Sequence, residues 1–153
     1  MDVLSQFTWA APKTDWKIAY DENGNYAGDY FEPADYNRIK NNINYLRDWV
    51  KQLFDNKPEM YDLGEDVYYG SPNELKASWW TMLQENLEKI NKVSVNIDVG
   101  QRENYYSNTS GRLLEELIRI ESATLRIYNK LNSISQNKVK LSFRLGNWKG
   151  LKC

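Results

Sequence analysis

Between Pro33 and Asn56 the apolar residues Tyr36, Ile39, Ile43, Leu46, Val50 and Leu53 are separated by 3, 4, 3, 4 and 3 positions. That spacing predicts a helix with a continuous heptad seam rather than only an amphipathic face. Pro33 suits the first helical position, and Asp35 lies in the first turn, where the helix dipole favours an anion. A second helix is predicted behind Ser71-Pro72-Asn73-Glu74, which reads as an N-cap, a first-position proline and a capping box. Its apolar side is Leu75, Trp79, Met82, Leu83, Leu87 and Ile90. A third runs from about Ser110 to Ser135, with Leu113, Leu117, Ile120, Thr124, Ile127, Leu131 and Ile134 repeating the 4-3 spacing. Leu114, Ile118, Leu125 and Tyr128 widen its stripe, enough to touch two neighbours.

Two stretches change period. Val93, Val95, Ile97 and Val99 alternate, as do Val139, Leu141 and Phe143 between Lys138 and Leu145. Both read as half-buried strands, and each would need the other to satisfy its backbone. Near the start, TWAAPKTDW reads as an extended arm. WKIAYDENGNYAGDYF reads as a hairpin turning at Asn23-Gly24. The expected fold is mainly α: a three-helix bundle or long helical hairpin with a small β element and an extended N-terminal arm. Residues 1–32 form the arm and hairpin, 33–135 the bundle with a strand near 93–99, and 136–153 a basic C-terminal β tail.

Composition narrows the chemistry. The 153 residues contain no His, which removes the usual general base and most zinc and iron sites. The single Cys153 allows no internal disulfide, and neither a signal peptide nor a membrane-length apolar run is recognisable. Aromatic residues reach 14 %, including eleven Tyr and six Trp, which suits subunit interfaces or the filling of a small core. The net charge of −1 hides an asymmetry: no acidic residue follows Glu121, so the last 32 residues carry +7 and the remainder −8. Such a chain can pair head to tail with copies of itself.

Sharper chemistry is weaker. In DENGNYAGDYFE, Asp21, Asn23, Asn25, Asp29 and Glu32 fall at calcium-loop positions, but Tyr26 replaces the glycine of the sharp turn. A plain hairpin explains the stretch. Glu115 and Glu116 point about 100° apart on a helix and cannot share an acid/base site. No phosphate-binding glycine loop occurs, no cofactor is implied, and Asn108-Thr109-Ser110 is a sequon without a secretion signal. Lys138, Lys140 and Arg144, with Trp148, would form a cationic strand face. That face suits a solvated edge or an electrostatic subunit contact better than nucleic acid.

DYNRIKNNINYL places four asparagines, poor helix formers, inside the first helix. Asn37, Asn41 and Asn44, with Asp48, make a polar stripe beside the seam. They either hydrogen-bond to the arm or a neighbouring subunit, or form a solvated face in an Asn-rich chain. Together, PKTDW and DYNRIKNNINYL resemble the opening of many tail, baseplate and tail-appendage proteins of phages of Gram-positive bacteria. Pro12, Lys13, Trp16, Asp35, Asn37, Arg38, Ile39, Asn42, Ile43 and Leu46 carry the resemblance over about a third of the chain. Tyr36 and Lys40 depart from the usual Leu and Glu, and Arg119-Ile120-Glu121 echoes Arg38-Ile39-Lys40.

The resemblance implies a non-enzymatic virion component, made in the host cytoplasm, whose partners are copies of itself and other virion proteins. The alternative is a tail-tip module that recognises cell-surface carbohydrate through exposed aromatics. The expected interface residues are Trp9, Trp16, Tyr30, Phe31, Asn37, Arg38, Asn41, Asn44, Lys138, Lys140, Arg144 and Trp148.

Overall fold

A computed structural model of the chain describes residues 3–55, 57, 59–69, 77–102 and 113–146. Three helices, α1 (Pro33–Leu53), α2 (Ala77–Val93) and α3 (Leu113–Gly146), each pack against the other two. The bundle is the expected mainly α fold. Pro33 opens α1, and the Asp35 carboxylate reaches back to accept from the Glu32 N–H at 3.0 Å, holding the first turn. At the other end the Lys138 ammonium donates to the Leu53 carbonyl at 2.6 Å, satisfying a helix-terminal acceptor.

The core follows the seams. Ile39, Ile43, Leu46 and Val50 of α1 meet Leu83, Leu87 and Ile90 of α2 and Leu117, Ile120, Ile127 and Leu131 of α3, all essentially inaccessible. Each such side chain is worth about 1.5–3 kcal/mol relative to exposure, so these positions hold the bundle together. The extended segments join the same core. Trp16 comes from the arm, and Leu63 and Val67 come from the connection between α1 and α2.

Two expectations are corrected here. Residues 138–145 are not a strand: α3 continues to Gly146. Once a long helix exists, adding residues costs less than starting a new element, and Lys, Leu and Arg are good helix formers. No strand forms at 93–99 either, although Val93, Val95, Ile97 and Val99 do turn one side to the core. Asn96 sits at φ +48° and Gly100 at φ +75°, left-handed conformations that interrupt a regular strand. Among the described residues no β-strand occurs, and the expected small β element reduces to one bridge, Tyr20 to Tyr26. The capping box at Ser71 and the residues beyond 146 lie outside the described residues.

The hairpin is present in reduced form. Asp29 N–H donates to Lys17 C=O, Ala27 to Ala19 and Asp21 to Asn25, each at 2.8 Å. Gly24, at φ +78°, supplies the turn.

Candidate functional site

The described structure answers the asparagine question directly. Asn37 donates to the Val67 carbonyl at 2.7 Å and accepts from the Val67 N–H at 2.8 Å. Asn42 does the same to Ala10, at 2.8 and 2.9 Å. On α2, Asn86 holds Tyr61 at 2.9 and 2.8 Å, and Asn91 holds Ile97 at 2.7 and 2.9 Å. Gln52 grips Leu4 in the same way, at 2.9 and 3.1 Å. In every case one primary amide bonds both the N–H and the C=O of a single residue. That is the exchange an antiparallel partner would make in a hydrogen-bonded pair, delivered here by a side chain.

Magnitudes favour this use. Asn costs about 0.5–0.7 kcal/mol relative to Ala inside a helix. Two hydrogen bonds return about 1–3 kcal/mol, and leaving the loop groups buried and unbonded would cost more. Asn37 and Asn42 lie five residues apart, as do Asn86 and Asn91. Five residues turn a helix through about 140°, so each pair straddles the apolar seam and holds a separate segment on either flank.

Glu121 of α3 is the charged counterpart, with only 1 % of its surface exposed. It accepts from the Lys13 N–H at 2.6 Å, the Trp16 indole at 3.2 Å and the Arg38 guanidinium at 2.6 and 3.3 Å. Arg38 also reaches Asp35 at 2.7 Å. Burial works against its charge, but the bonds to Glu121 and Asp35 prevail and raise its pKa above the ordinary value. Arg119 ties α3 to Glu116, to Gln84 of α2 and to the Val99 carbonyl, while Arg126 donates to the Asp98 carbonyl.

Most of the expected interface residues have partners within the chain itself. Trp9 stacks on Tyr128 at 4.0 Å, Trp16 is buried, and Phe31 packs against Trp16 and Trp80. Asn37 and Arg38 act as above, Asn41 donates to Asp66 at 3.1 Å, and Lys138 caps α1. Tyr30 alone among the described aromatics of that set is exposed. Lys140 and Arg144 fall on the last turns of α3, and Trp148 lies outside the described residues. The residues that reasoning from sequence did not select are Asn42, Gln52, Asn86, Asn91 and Glu121. The usable signal was the recurrence of Asn at a five-residue interval across a seam.

Between the arm and the α1–α2 connection a groove of about 660 Å³ opens over α1. Lys40, Asn44 and Arg47 form its floor, with Gln6 and Phe7 on one wall and Asp62, Gly64, Glu65 and Asp66 on the other. Lys40, 1 % exposed, donates to the Gly64 carbonyl at 3.1 Å and pairs with Asp66 at 2.8 Å. That ammonium, with help from Asn41, holds the Asp66 carboxyl below its usual pKa.

The Asp21 carboxylate bonds the Asn23 and Asn25 N–H groups, and Asp29 bonds the Lys17 N–H and the Lys13 ammonium. Among the described residues no group of three or more His, Cys, Asp or Glu is placed to hold a metal, and no helix is long and apolar enough to cross a membrane. No protein-family model, curated protein or solved structure matches the chain.

Proposed function

We propose that the protein is a non-enzymatic structural subunit of a phage virion, a tail, baseplate or tail-appendage component that works through repeated protein contacts. The observation that carries this reading is the convergence of the two sequence pieces that resemble phage tail proteins. The Lys13 backbone N–H and the Trp16 indole of PKTDW, and the Arg38 guanidinium of DYNRIKNNINYL, all bond the buried carboxylate of Glu121. The resembling residues thus form a latch that fixes an extended arm to a helical bundle. Their polar groups are committed to architecture rather than to a reaction centre.

Charge distribution supports the same reading. The acidic connection residues Asp62, Glu65 and Asp66 are exposed, and the basic residues Lys138, Lys140 and Arg144 are far along the chain on α3. Light scattering on the purified protein, across concentration and salt, tests the proposal. A discrete multiple of 18.1 kDa that weakens with added salt is expected. A monomer under every condition removes self-assembly as the mechanism.

A second reading, a carbohydrate-binding module, draws on the hairpin. There Tyr20, Tyr26 and Tyr30 meet edge to face at 5.6 and 5.3 Å, and Tyr20 and Tyr30 are exposed. The described tryptophans give it no help, since each packs into or against the core.

A further inference from the structure

Asn44 lies on α1 between the clamping residues Asn42 and Gln52 and is only 4 % exposed. Unlike Asn37, Asn42, Gln52, Asn86 and Asn91, it makes no hydrogen bond to a described residue. Its amide lines the groove floor instead. The side chain is largely enclosed, but its amide is not sealed from water, so in the single chain it opens onto the groove with no protein partner and is free to bond an entering backbone. Five other helix amides in this molecule show what such a group does here: each closes on the N–H and C=O of one residue in an extended segment.

We infer that the groove seats an extended segment from a second copy of this chain, residues 147–153, with Asn44 clamping its backbone. The inference rests on the assembly reading above and names the surface through which assembly occurs. The occupant follows from charge and shape. On the groove wall Asp62 and Glu65 are exposed and form no ion pair with a described residue, whereas Lys40 and Arg47 are neutralised by Asp66 and Asp48. The vacant charge of the groove is therefore negative. The segment NWKGLKC brings Lys149 and Lys152, no acidic side chain, and Gly150 where close backbone approach to the floor is needed. The groove is open on its outer side, as a strand laid between the arm and the connection requires.

The test uses the full chain, labelled with ¹⁵N, and a synthetic peptide of residues 147–152. The peptide is expected to shift the Asn44 side-chain amide and the backbone amides of Gly64 and Glu65. A peptide of scrambled order should not. In sedimentation, Asn44→Leu should weaken self-association about tenfold, the loss of two hydrogen bonds. Glu65→Lys, on an exposed rim position, should weaken it severalfold without touching the fold, and so should Lys149→Glu with Lys152→Glu.

Self-association that is indifferent to Asn44→Leu and Glu65→Lys overturns the groove as the seat while leaving assembly intact. Equal shifts from the scrambled peptide reduce the contact to charge attraction and overturn the clamp. An Asn44 amide already perturbed by Lys149→Glu in a strictly monomeric chain means the segment folds back on its own groove, which overturns the second copy.

Discussion

The hairpin at 17–29 and the segments held by helix amides are both extended backbone, but they are satisfied in opposite ways. The hairpin closes on itself, with paired N–H and C=O groups from Lys17 to Asp29, and it leaves Tyr20 and Tyr30 in water. Among the described residues the arm, the α1–α2 connection and residues 94–99 form no backbone-to-backbone pair within themselves. Each borrows an amide from a helix and packs apolar side chains into the shared core. Self-closure makes a unit that can be lost locally. Borrowed closure couples each loop to the bundle, so breaking one side chain should be felt across the fold.

That contrast sets an order of effects. The largest belongs to Glu121→Ala, which leaves the half-buried Arg38 with Asp35 as its remaining ion-pair partner and strands two further donors, the Lys13 N–H and the Trp16 indole. It should cost about 3–5 kcal/mol, read from urea unfolding. Next, Asn86→Ala or Asn42→Ala should cost about 2–3 kcal/mol each by orphaning a loop N–H and C=O. A paired substitution on α1 sharpens the comparison. Asn37→Ala should destabilise by about 1–3 kcal/mol, whereas Asn44→Ala should stabilise the isolated chain by about 0.5 kcal/mol, because only helix propensity changes. On the hairpin, Tyr30→Ser should stay within about 0.5 kcal/mol of the parent in thermal unfolding.

The smallest effect is pH-dependent. Lys40 depresses the Asp66 pKa in the folded state, so this carboxylate adds stability that is complete above its usual value of 3.8. The contribution disappears as pH falls through the folded pKa, and an acid titration of Asp66→Asn should lack that component.

The seams were readable because apolar burial obeys the helix period. Tyr36, Ile39, Ile43, Leu46 and Val50 are buried as their spacing predicts, and so are Leu117, Ile120, Thr124, Ile127 and Leu131. The alternation at 93–99 was also informative, since it marked an extended segment with one apolar side. It could not say whether the backbone partner would be a strand or a side chain, and Asn91 supplied the latter. The alternation at 138–145 misled because Lys and Arg between apolar residues suit a helix continuing from α3 as well as an edge strand. The site was less readable. The polar stripe pointed at Asn37, Asn41 and Asn44, but the two-way geometry at Asn42 and the convergence on Glu121 depend on which distant segments reach them. Lys13 and Glu121 are 108 positions apart, and no local pattern encodes such a meeting.

The central claim is that helix amides replace strand partners for the extended segments. Native-state hydrogen exchange, resolved by residue, tests it most directly. Tyr61, Val67 and Ile97 lie outside regular secondary structure, yet their N–H groups should be protected to nearly the level of the bundle, while Asp62 and Asp66 beside them exchange rapidly. Protection at Val67 should fall to the level of its neighbours in Asn37→Ala. Exchange of all three clamped amides at loop rates in the parent protein would contradict the account.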